Sequence, residues 1–226
     1  MVWLFVTVGV YFFVRWLCSK INSPFANPLL LSMAIIIPLL LWFNVPYHIY
    51  YHNNDLLNHL LGPAVVALAY PLYEQLPAIR QNWKVIITCC FVGSLAAMAS
   101  AIGLAVVMGA EEALLASILG KSVTTAISME IAEQFGGVPA IAAILVLLAG
   151  IVGALFAYPI FSALNITHPI AKGLTMGTVS HALGTATCFE KSQQDAAFSS
   201  LALVLCGVFT SILAPLVFTV ALHSIM

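Results

Sequence analysis

PIAKGLTMGTVSHALGTATCFE (169–190) is the stretch on which the reading of this chain turns. It is long enough to cross a bilayer, since about 20 residues of helix span a hydrocarbon core of about 30 Å. Yet it holds Gly173, Gly177, Gly184, Thr175, Thr178, Thr185, Thr187, Ser180 and His181, and each glycine costs about 1 kcal/mol relative to alanine inside a helix. Two requirements would keep such residues in place. One is close approach of packed helices, which small residues permit; the other is a broken helix whose bare amides and carbonyls hold a small solute. On the second reading Thr178, Ser180, His181 and Thr185 supply hydrogen bonds, and Gly177 and Gly184 admit the backbone. His181 is then also a candidate proton carrier, because imidazole titrates nearest neutrality. The plainer reading is packing plus a histidine bonded to a backbone carbonyl. Ser180 and His181 do not make a nucleophile pair, because helix neighbours project about 100° apart and no acid is identified as a third member.

The rest of the chain is hydrocarbon. Of 226 residues 62% are hydrophobic and 7% charged, with a mean hydropathy of +1.08, against about 25% charged in a soluble domain. This is the composition of an integral membrane protein. Long apolar runs broken by Gly and Pro, without the alternating segments of about ten residues that mark a barrel, make the spans helical. A net charge of −1 with no Lys/Arg cluster excludes nucleic acid as a partner. Cys18, Cys89, Cys90, Cys188 and Cys206 show neither a CxxC nor metal-ligand spacing, so no disulfide framework is expected. The apolar N-terminus has its basic residues after the run and no small-residue cleavage site, which reads as a retained first span. No Walker loop, GxGxxG or HExxH occurs, so neither an enzyme nor a cofactor is expected.

In order, residues 2–17 form a short first span closed by Arg15 and Lys20, and turn formers follow in SPFANP. Residues 29–43 make a second span kinked at Pro38. The polar, aromatic 44–59 segment suits a membrane edge; its His48, His52, Asp55 and His59 have a spacing that could hold a metal, but beside three tyrosines they read as interface residues and no metal is expected. Residues 60–76 contain Pro63 and Pro71 and end near Glu74, predicting a broken helix. Residues 85–108, 138–164 and 198–222 are plain spans. Gly93, Ala97 and Ala101 line a small-residue seam in the first of them, and Ala149, Gly153 and Ala157 in the second. The expected fold is an all-α integral membrane protein, one polytopic domain over 1–226, with about 7–8 hydrophobic segments, interrupted or re-entrant helices and an internal repeat. Residues 1–26 hold the first span and a linker, 27–108 the first repeat, 109–137 a polar segment that either dips in and returns or crosses, and 138–226 the second repeat. Paired interrupted segments at matching positions point to a transport site. Arg15 and Lys20, with Arg80 and Lys84, mark cytoplasmic loops by the positive-inside rule.

Within 109–137 stands KSVTTAISMEIAEQ. A helix starting near Ser122 brings its N-terminal amides, Lys121 and the hydroxyls of Ser122, Thr124 and Thr125 to one point suited to a carboxylate. A lysine near the bilayer centre costs about 2.5–3.5 kcal/mol on insertion scales, so it calls for a partner or a function. The alternative is an interfacial segment in which Lys121, Glu130 and Glu133 are solvated. Glu130, Glu133 and Glu74 are candidates for coupling or gating; Glu74 and Glu190 also suit interfacial anchoring.

GKSVTTAISMEIAEQFGGVPAIAA and GLTMGTVSHALGTATCFE, with LGPAVVALAYPLYEQ and AAFSSLAL, closely resemble the LrgB/CidB family of bacterial inner-membrane proteins, and the resemblance covers nearly the whole chain. That family is similar to the C-terminal half of the plastid glycolate/glycerate transporter and is often encoded beside a small four-span LrgA/CidA partner. The family's first motif commonly has Pro after its paired threonines, where this chain has Ala126. The resemblance implies either an antiholin-like or holin-like modulator of murein hydrolase export and autolysis, or a component of small-carboxylate transport. Cationic and hydroxyl donors at depth favour the second. The expectation is a multi-pass protein of the bacterial inner membrane that moves a small monocarboxylate such as pyruvate or glycolate, works with a four-span partner, and forms a homo-oligomer.

Overall fold

The computed structural model of the chain describes residues 2–20, 28–67 and 69–225; its regular elements are helices, with no strand among those residues. The chain divides into two compact units, Met1–Ala69 and Tyr70–Met226.

The first unit holds α1 (Val2–Lys20), α2 (Pro28–Trp42), α3 (Tyr47–Asn53) and α4 (Asp55–Ala67). Few side chains of α1 are buried, Leu4 and Val14 among them, as expected of a helix that faces lipid on most sides. It packs along α2, and the Thr7 and Tyr50 hydroxyls, 2.9 Å apart, tie it to α3. Pro38 lies inside α2 and Pro63 inside α4 without ending either helix. The turn-forming stretch 23–27 and residue 68 lie outside the described residues. His52 pairs with Asp55 at 3.6 Å on an exposed surface, where His48 and His59 also stand. In sequence α5 (Ala69–Glu74) follows, and the Glu74 side chain is exposed.

The second unit holds α6 (Leu76–Val107), α7 (Glu112–Ile118), α8 (Thr125–Gln134), α9 (Pro139–Ala163), α10 (Pro169–Lys191) and α11 (Gln193–Ile225). α1, α6, α9 and the stretch Gln193–His223 within α11 are long and apolar enough to cross a membrane. α6 is a single 32-residue helix, about 48 Å long. It runs unbroken through Arg80 and Lys84, where a loop was expected, because its one proline sits in the first turn and is tolerated there. α6 and α11 lie side by side and parallel. Ile86 and Cys90 pack with Phe198, Ala202 and Cys206, and further along Met98, Ile102 and Ala105 pack with Ala214, Phe218 and Ala221.

Two helical hairpins fill the space between these long helices. In the first, α7 leads to a turn over 119–124 and α8 returns. A β-carbon at Gly120 would lie 2.8 Å from the Ser128 Cα, so glycine is what lets the arms cross. Leu115, Leu119 and Ile131 seat this hairpin against the C-terminal halves of α6 and α11. The second hairpin is α10 itself. At His181 the backbone turns to φ 41°, ψ −130°, and a β-carbon at Gly184 would meet the Met176 carbonyl oxygen at 2.7 Å. Met176 and Cys188, which a straight helix would hold about 18 Å apart, share one cluster with Phe161 and Ala196. The 169–180 half lies on the N-terminal half of α11, with Gly173 against Phe198 and Gly177 against the Ser199 carbonyl and Ala202. The two hairpins therefore enter the unit from opposite ends.

Candidate functional site

The hairpin tips meet at Lys121. Its ammonium donates to Ser122 Oγ at 3.1 Å, and no carboxylate lies within ion-pair distance of it among the described residues. Lys121 lines two cavities. One, of about 610 Å³, is bounded by Cys89, Gly93, Ala97 and Ser100 of α6, by Ser122, and by Thr175, Thr178 and Val179 of α10. The other, of about 500 Å³, is bounded by α9 from Leu145 to Phe161 and by Thr175, Met176, Val179 and Ser180. Residues 89–100 straddle the midpoint of α6, so the ammonium stands about halfway along the longest element beside it.

Each expected site residue has a definite place. Ser122 is buried and faces the first cavity. Thr124 caps α8 by accepting the Ile127 N–H at 3.4 Å, which leaves the start of α8 three residues beyond the predicted one; Thr125 is exposed and lines neither cavity. Thr178 is buried with its methyl against Gly93, and its hydroxyl accepts from Cys206 Sγ at 3.3 Å. Ser180, 1% exposed, borders the second cavity, presses on Gly153, and finds no hydrogen-bond partner for its Oγ among the described residues. It is the buried hydroxyl with unused bonding capacity closest in the chain to the α10 reversal, and such a group costs about 1–3 kcal/mol if nothing binds it.

Other residues serve the fold. His181 is buried at the reversal and donates from Nε2 to the Val146 carbonyl at 2.9 Å, the plainer of its two expected roles. Thr185 donates to the His181 carbonyl at 2.9 Å and lies 2.8 Å from the Ser199 hydroxyl. Gly177 and Gly184 are contact points between helices. Glu130, Glu133 and Glu74 are exposed and away from the cavities. Sequence reasoning named Thr175 without giving it a role and passed over Val179, both of which line the two cavities, and it passed over Asp195 as well. That carboxylate is 3% exposed and accepts from the Tyr158 hydroxyl at 2.8 Å. Its position one turn into an apolar helix, after Ser192, was the available signal.

A mostly apolar double cavity with one ammonium and several hydroxyls at its centre suits a small anion with an apolar body. No solved structure matches the chain. It is 39% identical over 214 residues to an uncharacterised protein of Haemophilus influenzae, covering 95% of this chain and 93% of that one. It is 36% identical over 214 residues, with the same shares, to the uncharacterised protein YxaC of Bacillus subtilis. To the holin-like protein CidB of Staphylococcus aureus it is 31% identical over 212 residues, 94% of this chain and 93% of that protein. The LrgB-like family profile matches residues 7–220, and the chain belongs to that family.

Proposed function

We propose that the chain is the membrane-embedded transport component for a small monocarboxylate of the pyruvate or glycolate kind, acting in the bacterial inner membrane with a four-span LrgA/CidA-like partner. The observation that carries this reading is Lys121, placed where two hairpins from opposite ends meet and opening on two cavities. An ammonium at that depth costs about 2.5–3.5 kcal/mol on insertion scales, and an anion bound there would offset it. Broken helices around a central site are the usual construction of secondary transporters.

An inverted repeat adds support. Val123, Thr124, Ala126 and Ile127 match Val179, Ser180, Ala182 and Leu183 at one constant spacing along the chain. The same spacing relates buried Ala142, Val146, Gly150 and Ala154 of α9 to buried Phe198, Ala202, Cys206 and Thr210 of α11. It also relates the Gly120–Ser128 crossing of one hairpin to the Met176–Gly184 crossing of the other. Hairpin plus following span is then the repeated unit, entering once from each side. This pairing takes the place of the one drawn from segment order alone, 27–108 with 138–226.

Charge suggests the orientation. Arg80, Lys84, Lys172 and Lys191 gather at the end where α10 enters, and Glu111, Glu112 and Glu133 at the end where α7 enters. Lysine and arginine in short loops favour the cytoplasm. Uptake of labelled pyruvate and glycolate into proteoliposomes, with the chain alone and with the four-span partner, tests the reading. Saturable uptake lost in Lys121→Ala is expected; uptake like the parent's would overturn it. The holin-like name of the staphylococcal relatives favours a second reading, a regulator of envelope lysis without solute specificity. On that reading, dye leakage would respond to the substitution and uptake would not.

A further inference from the structure

We infer that Ser180 is a specificity-determining residue that reads the oxygen on the carbon next to the carboxylate, so that the site selects 2-oxo and 2-hydroxy monocarboxylates over plain ones. The inference rests on the transport reading above. Four buried side-chain oxygens lack a hydrogen-bond partner among the described residues: Asn54 Oδ1 and the hydroxyls of Ser94, Ser128 and Ser180. Asn54 belongs to the first unit, and Ser94 and Ser128 border neither of the two cavities. Ser180 borders the second cavity, which Lys121 lines too. A hydroxyl left unpaired beside apolar walls is costly. Packing does not call for it. Its Oγ lies over Gly153, in space that a β-carbon on α9 would occupy, so a pair of alanines would fill the same volume without a polar atom.

The first hairpin shows what a hydroxyl at this place does when the fold uses it. Thr124, the counterpart of Ser180 in the repeat, accepts the Ile127 N–H at 3.4 Å and caps α8. Ser180 makes no such cap. The hydroxyls around it are otherwise engaged: Ser122 accepts from Lys121, Thr178 from Cys206, and Thr185 donates to the His181 carbonyl. Thr175 is exposed, so water can serve it. Lys121 answers the charge of a carboxylate, but an ammonium only donates. A 2-oxo acid presents an acceptor beside its carboxylate, and a 2-hydroxy acid a group that both gives and takes. A serine hydroxyl carries one donor and two acceptor positions and rotates to suit either. It therefore fits pyruvate and glycolate alike and offers a plain carboxylate nothing, while Leu148, Val152 and Phe156 receive the apolar body.

Two pairs of acids differ by that oxygen alone: pyruvate and propionate, glycolate and acetate. In proteoliposomes holding the full chain and its four-span partner, inhibition of labelled-pyruvate uptake by each unlabelled acid measures the preference. The parent is expected to take pyruvate about tenfold ahead of propionate, and glycolate about tenfold ahead of acetate, which is what one hydrogen bond to an otherwise unpaired buried group supplies. Ser180→Ala is expected to bring both ratios to within about twofold of unity. It does so by weakening pyruvate and glycolate about tenfold while propionate and acetate stay where they were. The variant is also expected to melt no lower than the parent, because it loses an oxygen that nothing in the fold binds. A parent blind to the oxygen sinks the proposal before any variant is made. So does a variant that keeps the parent's ratios, as it would if the hydroxyl bound only water, or one that weakens all four acids alike. A variant that fails to fold also overturns it, since the hydroxyl would then belong to the packing. A parent that takes up neither pyruvate nor glycolate overturns the transport reading itself, a result distinct from uptake that ignores the second oxygen.

Discussion

Replacing Lys121 by methionine is expected to make this protein more stable and a worse carrier. The side chain is partly buried, its ammonium donates to Ser122 Oγ at 3.1 Å, and no carboxylate pairs with it among the described residues. A lysine at the bilayer centre carries about 2.5–3.5 kcal/mol of insertion cost. Water in the two open cavities returns part of that, so removal of the charge is worth about 1–2 kcal/mol of stability, in line with apolar replacement of buried charges generally. Methionine follows the same methylene path and leaves no large void. For the anion the sign reverses. An ammonium and a carboxylate about 4 Å apart attract by about 4 kcal/mol at an effective dielectric of about 20. Desolvation of the anion offsets roughly half of that, which leaves about 2 kcal/mol, or about 30-fold in the concentration needed for half-maximal uptake. Thermal melting in detergent reads the first quantity and pyruvate uptake by proteoliposomes the second, with Lys121→Arg as the charge-conserving control. A methionine variant that melts lower than the parent, or transports like it, refutes the reasoning, because either result means that the ammonium is held by the fold and not kept for a ligand.

Glycine substitutions separate contact from propensity. Gly103→Ala, with nothing within 4 Å of the new carbon, is expected to raise stability by about 1 kcal/mol, whereas Gly177→Ala, against the Ser199 carbonyl and Ala202, is expected to lower it by about 1–3 kcal/mol; melting of both variants measures the contrast. His181→Ala leaves the Val146 carbonyl without its donor and is expected to lower stability by about 1–3 kcal/mol while leaving the pH profile of uptake unmoved, which pH-resolved uptake checks. Cys89 is exposed on the Lys121 cavity, whereas Cys90, Cys188 and Cys206 are buried. Maleimide is therefore expected to label Cys89 ahead of those three, more slowly when pyruvate is present, as mass spectrometry of the labelled chain would record.

Much of this arrangement could be read from the residues. Glycine and hydroxyl content marked 169–190 as a segment unfit for a plain lipid-facing helix, and Lys121 beside Ser122 marked the other tip. The position of the break was less legible. Gly177 and Gly184 look like hinges, yet both lie in helix against neighbours, and the reversal falls on His181, a residue with a side chain at positive φ. Such a conformation costs of order 1–3 kcal/mol and is held here by a bond to Val146, thirty-five positions away in the chain. Local pattern carries no trace of that contact. Glu130 and Glu133 drew attention as charges in a membrane segment, but both are exposed, while the buried faces of α8 are taken by Ser128, Ile131 and Ala132. Asp195 drew none, because SQQD reads as a solvated loop until Tyr158 is seen to fold over it.

The two hairpins align at one constant spacing along the chain but differ in charge at their tips, and that difference bears on what the site can hold. At the position where the first hairpin carries Lys121, the second carries Gly177. A long side chain has no room there, since even a β-carbon would press on the Ser199 carbonyl and Ala202. A symmetric pair of lysines would suit a dicarboxylate or a phosphate. One lysine facing Thr175, Thr178 and Ser180 compensates a single negative charge, and a second carboxylate would enter the apolar walls of α6 and α9 unpaired, at a cost of several kcal/mol. If the site takes anions as proposed, the glycine that lets α10 close on α11 would also limit it to a monoanion, so that packing and selectivity would rest on the same missing side chain.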